Sequence, residues 1–279
     1  MKHTLKITLL LLVLFLASHI VGLYVTNHYL KENSTLPFEL QRPAMDEKTS
    51  FIPIFITILI ATVLALILIK LQAIHIWKLW FFFSVVFCLT ISFNAFMPEV
   101  FALTLAFILA IFKIFKPNVY LHNFTEVFIY GSLSALFVPV LNILSISILL
   151  ILISIYDMVA VWKTKHMISM AKFQSDAKMF TGLSIPYGPK KNINKNVITK
   201  KTVVREAILG GGDIGFPLLF AGVVLKLYGF FPAVIISITS GLALLILFLM
   251  AEKKKFYPAM PFVTIGCFIG YLVVRLFFP

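Results

Sequence analysis

The sequence predicts an all-α polytopic membrane protein with nine transmembrane helices, and two observations support this: the composition and the charge pattern. Of the 279 residues, 61% are hydrophobic and 13% are charged, and the mean hydropathy is +1.02. A soluble domain is usually about 45–50% apolar. The charged residues occur in groups, and the runs between them are long enough to cross about 30 Å of hydrocarbon. The composition therefore excludes an ordinary soluble domain.

Most of the nine spans follow directly from uncharged runs. Five such runs cover residues 7–30, 49–69, 79–98, 227–251 and 256–274. A sixth run covers residues 98–116 and ends at Lys113 and Lys116. Long lysine side chains can snorkel from the end of a span to the membrane surface, so we expect these two lysines to do so.

The three remaining spans need one further step each. Residues 118–162 are too many for one crossing, and Pro139 and Asn142 near the middle are typical of a turn between two helices. Residues 206–226 complete the set if Asp213 is tolerated inside the membrane. The chain is thus predicted to be one membrane domain. Its parts are spans one to six in 1–166, an inner segment in 167–205 and spans seven to nine in 206–279.

The positions of the cations predict the orientation. If the N-terminus is cytoplasmic and the C-terminus is outside, most of the 24 Lys and Arg residues fall in inner segments. Inner loops of membrane proteins carry such an excess. The net charge of +13 is then explained by topology and needs no nucleic-acid partner. The compact loops favour the plasma membrane of a prokaryote, archaeal or bacterial.

Three acidic residues fall clearly within predicted spans, away from their ends, namely Glu126, Asp157 and Asp213. A charged carboxylate inside the bilayer costs a few kcal/mol or more, so each is a functional candidate. The alternative is a protonated acid that makes a packing hydrogen bond. For Glu126, early in the fifth span, we favour this structural role.

Asp157 and Asp213 are predicted to lie at the same depth. Asp157 is six residues before Lys163 at the inner end of the sixth span, and Asp213 is seven residues after Glu206 at the start of the seventh. At about 1.5 Å per residue both lie roughly 10 Å below the inner surface. Two adjacent carboxyl groups share a proton, and such a pair can activate water for peptide hydrolysis, as in aspartic proteases.

Three glycines, Gly210, Gly211 and Gly212, come directly before Asp213. Without side chains they allow a peptide backbone or a partner helix to approach closely. They also loosen the helix, which is tolerated in a membrane where the backbone lines a water-filled cavity. A small-residue packing patch is the alternative, but it does not account for the adjacent carboxylate.

Three short motifs together resemble those of the GxGD intramembrane aspartyl proteases, the presenilin and signal peptide peptidase family. They are "YD" at Tyr156-Asp157, "GGGD" ending at Asp213 in the next span, and "PAM" at 258–260 opening the last span. The nine-span layout and the long basic loop between spans six and seven are similar as well. The similarity covers nearly the whole chain.

The resemblance implies that Asp157 and Asp213 are the two catalytic aspartates. Met260 stands where the family has leucine in its Pro-Ala-Leu motif, and we expect an altered fit rather than an inactive enzyme because Leu and Met are similar in volume. The residues implied to bind substrate or shape the active site are Tyr156, Gly210, Gly211, Gly212, Pro258, Ala259 and Met260.

The implied activity is hydrolysis of transmembrane helices or remnant signal peptides within the lipid bilayer. It needs water but no cofactor, and no metal-ligand spacing is present. The short loops look more like a stand-alone microbial homologue than a complex subunit, and association of identical copies is left open. A transporter or ion pathway that uses the carboxylates as a proton relay is the alternative, although no second interrupted helix is found.

The inner segment between the two aspartate-bearing spans divides into two parts. Residues 167–180 are predicted to form an amphipathic helix at the inner membrane surface. Residues 181–205 are predicted to form a mobile basic loop. Its "VITKKTVV" stretch, 197–204, has β-branched character and is expected either to pair with an extended substrate as an added strand or to contact anionic lipid.

Overall fold

A computed structural model describes residues 5–31, 35–164, 170, 173–174, 179–187, 205–251 and 257–278. Within these residues the chain forms nine α-helices and one two-stranded sheet. The helices are α1 Leu5–Tyr29, α2 Phe51–Lys70, α3 Ile74–Asn94, α4 Glu99–Phe115, α5 Val119–Phe137, α6 Ile143–Met158, α7 Gly211–Tyr228, α8 Phe230–Met250 and α9 Met260–Phe277. The strands are β1 Gly182–Tyr187 and β2 Arg205–Gly210.

Eight of the described helices are long and apolar enough to cross a membrane. The other, α4, has 17 residues, which gives it a length of about 25 Å. The α2 helix is the most apolar, and only 11% of its most apolar stretch is buried inside the protein, so most of its surface faces lipid. The predicted all-α polytopic fold is confirmed, and the chain is an integral multi-pass membrane protein.

The predicted turn between spans five and six is confirmed. A 3₁₀ turn at Val138–Val140 follows α5, and α6 begins at Ile143. The Asn142 side chain caps α6 by accepting a hydrogen bond from the Ser145 amide at 2.8 Å. At its other end α6 continues into one π-helical turn, Val159–Lys163.

The predicted start of the seventh span, residue 206, is wrong. Residues 205–210 form β2, and α7 begins only at Gly211. The alternating burial of this segment is typical of a strand: Ala207 and Leu209 are buried, whereas Ile208 between them is 42% exposed. Glycines are poor helix formers, so nothing favours extending α7 backwards through Gly210.

The prediction of a loop over 181–205 is wrong at both of its ends. Strand β1 pairs with β2 in antiparallel register, from Gly182 opposite Gly210 to Tyr187 opposite Arg205. The "VITKKTVV" stretch lies outside the described residues, as does most of the predicted amphipathic helix at 167–180. Of the latter, Phe173 packs edge-on against Trp77 of α3, with 5.8 Å between ring centroids.

The α1 helix packs against α5, α7, α8 and β1. It closely approaches α5, since a Cβ atom on Gly131 would lie 3.3 Å from the Gly22 Cα. Buried hydrogen bonds join it to its neighbours: His19 to Ser237 of α8 at 2.9 Å, and Thr26 to Ser134 of α5 at 2.7 Å. Small residues and buried polar pairs are typical of helix association in membranes.

Candidate active site

Asp157 lies in the last turn of α6 and is 8% exposed. Its Oδ2 accepts a hydrogen bond from the Met260 backbone N–H at 3.2 Å, and the Ala259 N–H donates to the same carboxyl group. The first N–H groups of a helix have no partner within that helix, and its N-terminus carries partial positive charge. The start of α9 is therefore a ready-made partner for the Asp157 carboxylate.

The Pro-Ala-Met segment fixes where α9 begins. Pro258 is buried, and Pro261 occupies the first turn, where proline is compatible with a helix start. One turn further along, the Thr264 and Ser154 hydroxyl groups hydrogen bond at 2.8 Å and join α9 to α6 again. Met260 is buried, with 3% of its surface exposed. The group of this residue that hydrogen bonds to Asp157 is its backbone amide.

Asp213 lies in the first turn of α7, directly after the change from strand to helix. Gly210 keeps an extended backbone with φ −64° and ψ 147°, and its N–H donates to the Asp213 carboxyl group. A Cβ atom on Gly210 would lie 3.2 Å from the Asp213 Oδ2. Asp157 is near enough for its charge to act on Asp213. The two carboxyl groups, one on α6 and one on α7, thus lie within electrostatic range of each other.

Gly211 and Gly212 border a cavity of ≈ 710 Å³ between α2, α3, α5 and α7. This volume falls within the usual range of ligand pockets, about 300–1,000 Å³. Gly212 is exposed, whereas Gly211 faces Tyr130, whose hydroxyl would lie 3.1 Å from a Cβ on Gly211. Large apolar side chains make up much of the wall, among them Ile58, Trp77, Trp80, Phe81, Phe216 and Leu219.

Glu126 forms a buried ion pair with Lys113 at 2.7 Å, in which the Lys113 side chain is 2% exposed and the Glu126 side chain 3%. Its other oxygen accepts hydrogen bonds from the Tyr130 hydroxyl at 2.5 Å and from the Gly182 N–H at 3.1 Å. The expected snorkelling of Lys113 is therefore wrong. A buried carboxylate is costly without a partner, and Lys113 supplies the compensating charge.

Tyr156 extends towards α2, where its hydroxyl donates to the Thr62 hydroxyl at 3.1 Å. Neighbouring residues on a helix point in different directions, so Tyr156 and Asp157 leave α6 on different sides.

The sequence did not draw attention to His122 and Asn123, both on α5. His122 Nε2–H donates to the Gly182 carbonyl at 2.7 Å, and the Asn123 amide pairs with both backbone groups of Ser184 at 2.8 and 3.0 Å. The only available signal was the presence of four polar residues, 122, 123, 125 and 126, near the start of one apolar span.

Comparison with known proteins extends these observations. The described fold is similar to a presenilin family intramembrane aspartate protease solved in two space groups. The first structure has a TM-score of 0.66 at 18% identity and covers 96% of this chain and 98% of the other. The second has a TM-score of 0.62 at 18% identity, with coverage of 95% and 96%. At this identity the similarity shows the fold alone.

No curated protein matches the chain. The family model described as signal-peptide peptidase, presenilin aspartyl protease matches residues 40–279. Because this match covers far more than half of the sequence, the chain belongs to the signal-peptide peptidase and presenilin family of aspartyl proteases.

Proposed function

We propose that this protein is an intramembrane aspartyl protease of the GxGD type in which Asp157 and Asp213 together activate water. The proposal is supported by two carboxyl groups on consecutive spans that lie within electrostatic range of each other, Asp157 bound by two backbone N–H groups and Asp213 by one. The family membership supports the same activity.

The two carboxyl groups would share one proton, because two adjacent carboxylates cannot both ionise in a medium of low dielectric. The ionised group takes a proton from water, whose oxygen attacks the carbonyl carbon of the peptide bond, while the protonated group donates its proton to the carbonyl oxygen. The resulting tetrahedral intermediate collapses when the carbon–nitrogen bond breaks and the leaving amine takes up a proton. This route uses only the two aspartates and water, without a metal ion or cofactor.

The apolar cavity supports a transmembrane segment or a remnant signal peptide as the substrate. Its wall is made largely of aromatic and aliphatic side chains from α2, α3, α5 and α7, and it includes Gly211 and Gly212, which precede Asp213. An apolar segment could lie against this wall, and Gly212 would leave room beside the carboxylate for the backbone to be cut. The lipid bilayer supplies the substrate by lateral diffusion.

The sheet supports an extended conformation of the bound substrate. The backbone groups of Gly182 and Ser184 point to α5, so those of Leu183 and Ile185 point to β2. In the observed register the backbone groups of Ile208 and Gly210 then point away from β1, on the side of Asp213. A substrate strand added along β2 would place its backbone beside the aspartates.

Single substitutions of the aspartates test the proposal. We expect Asp157→Asn and Asp213→Asn each to lower the rate of peptide hydrolysis by roughly 10²–10⁴-fold, because either change removes half of the acid–base pair. The measurement is mass spectrometry of products from a signal-peptide-like transmembrane substrate incubated with purified protein in lipid.

Asp46→Asn is the matched control, since Asp46 is exposed in the segment between α1 and α2. It should retain the wild-type rate, and all three variants should keep the wild-type thermal transition. Wild-type activity in either single active-site variant would contradict the proposed pair.

A further inference from the structure

Three side chains of α5 occupy the outer edge of β1 in the way a neighbouring strand would. His122 donates to the Gly182 carbonyl, and Glu126 accepts from the Gly182 N–H. Asn123 donates to the Ser184 carbonyl and accepts from the Ser184 N–H. Four backbone groups of two alternate strand residues are thus paired by side chains from one helix.

This pairing has a physical reason. An unpaired strand edge exposes N–H and C=O groups, and backbone groups left without a hydrogen-bond partner within a membrane are destabilising. Residues 122, 123 and 126 are spaced so that their side chains leave α5 on one side. The α5 helix therefore fixes the position of β1 along the α5 helix axis.

The same pairing extends to Asp213. Gly182, which His122 and Glu126 bind, is the residue of β1 directly opposite Gly210. Gly210 in turn donates its N–H to the Asp213 carboxyl group. Two strand residues, Gly182 and Gly210, therefore connect the polar side chains of α5 to Asp213 of the proposed catalytic pair.

A second contact between α5 and the start of α7 runs through Tyr130. Its hydroxyl donates to Glu126, and its ring would lie 3.7 Å from a Cβ on Gly215, one turn beyond Gly211. Lys113 holds Glu126 from the other side. Glu126 therefore hydrogen bonds to β1 and to the Tyr130 hydroxyl, and the Tyr130 ring packs beside Gly211 and Gly215 of α7.

We propose that His122, Asn123 and Glu126 are positioning residues that set which peptide bond of a bound segment reaches the aspartates. They act through the sheet, by fixing the height of β1 and hence of β2 next to Asp213. The inference rests on the proposed protease function. It does not require these side chains to touch the substrate.

Asn123→Leu tests the inference, because leucine has a similar size but cannot pair with Ser184. We expect kcat to fall about 10–100-fold, because misplacing reacting groups by about 1 Å has an effect of that order. KM should change less, and mass spectrometry should show cleavage spread over neighbouring peptide bonds. The measurement uses the full chain in lipid with one transmembrane substrate.

His122 provides a rescue test that remains informative if Asn123→Leu does not fold. His122→Leu removes the donor to the Gly182 carbonyl, whereas His122→Gln keeps an N–H donor on a side chain of similar reach. We expect the leucine variant to shift the cleavage positions and the glutamine variant to restore them.

Asn142→Leu is the matched control, since it makes the same substitution in the cap of α6, away from β1. It should lower the thermal transition and leave the cleavage positions unchanged. Wild-type products and kcat from a folded Asn123→Leu or His122→Leu variant would overturn the inference. Absence of cleavage by the wild-type protein would instead overturn the proposed function.

Discussion

At the scale of single residues, backbone amides hold both aspartates. Asp157 accepts from the N–H groups of Ala259 and Met260, and Asp213 accepts from that of Gly210. Hydrogen bonds to a charged group contribute about 1.5–3 kcal/mol each. Because the donors belong to the main chain, the side chain at position 260 is free to differ from the leucine of the family motif.

Two substitutions in this segment should therefore have unequal effects. Met260→Leu conserves volume and the amide, so we expect kcat within about threefold of wild type and a loss of stability below about 1.5 kcal/mol. Ala259→Pro removes one donor to Asp157 at a residue whose φ of −85° is close to the range of proline. We expect its kcat to fall about tenfold or more.

Steady-state cleavage kinetics and thermal unfolding of the two variants provide the measurement. An inactive Met260→Leu variant beside a fully active Ala259→Pro variant would show that the side chain, not the backbone, is what the motif supplies.

The sequence indicated the two aspartates but not their surroundings. An acid in an apolar run is conspicuous, and Asp157 and Asp213 could be found in this way. The ion-pair partner of Glu126 could not be predicted from the sequence. Lys113 lies on the preceding helix, and the turn at Pro117 that folds α5 back against α4 brings the two side chains together. Hydropathy assigned Lys113 to the membrane surface, whereas packing buries it.

At the scale of elements, the start of α7 shows where hydropathy fails. The run after Glu206 is apolar enough for a membrane span, yet its first part is a strand. A short apolar run fits a strand or a helix equally well by periodicity. Only the partner strand β1, far away in sequence, decides between them. The nine helices themselves could be predicted, because a long apolar run in lipid satisfies its backbone hydrogen bonds within itself by forming a helix.

The packing of α8 against α9 gives a prediction at this scale. A Cβ atom on Gly266 would lie 2.8 Å from the Ser240 Cα and from the Thr239 carbonyl oxygen, so the two helices would have to separate. We expect Gly266→Ala to lower the free energy of unfolding by about 1–3 kcal/mol. It should also reduce activity, because α9 supplies the amides that hold Asp157.

Ile265→Ala is the control for this prediction, because Ile265 is 57% exposed on the lipid side of the same helix. Thermal unfolding in detergent and the cleavage rate check both variants. Equal stability of Gly266→Ala and wild type would show that the close approach of the two helices does not matter for folding.

At the scale of the whole molecule, the parts of the proposed site gather at one end of the helical bundle. The α4 and α6 helices end there, and α5, α7 and α9 begin there. The sheet lies at the same end, since β2 leads directly into α7. Lys113, Lys116 and Lys163 also fall at this end. An excess of cations marks the cytoplasmic side of membrane proteins, so we expect water to reach the aspartates from the cytoplasm.

Accessibility of single cysteines checks this orientation. In a background of Cys88→Ala and Cys267→Ala, we place one cysteine at Ala44 between α1 and α2, or at Lys116 between α4 and α5, both exposed. Because α2, α3 and α4 lie between the two positions, we expect these positions to be on opposite sides of the membrane. A membrane-impermeant thiol reagent added to intact cells should label the Ala44→Cys variant and leave the Lys116→Cys variant unlabelled until the cells are opened. The reverse pattern would place the aspartates near the outer surface and most of the 24 cations on the outer side.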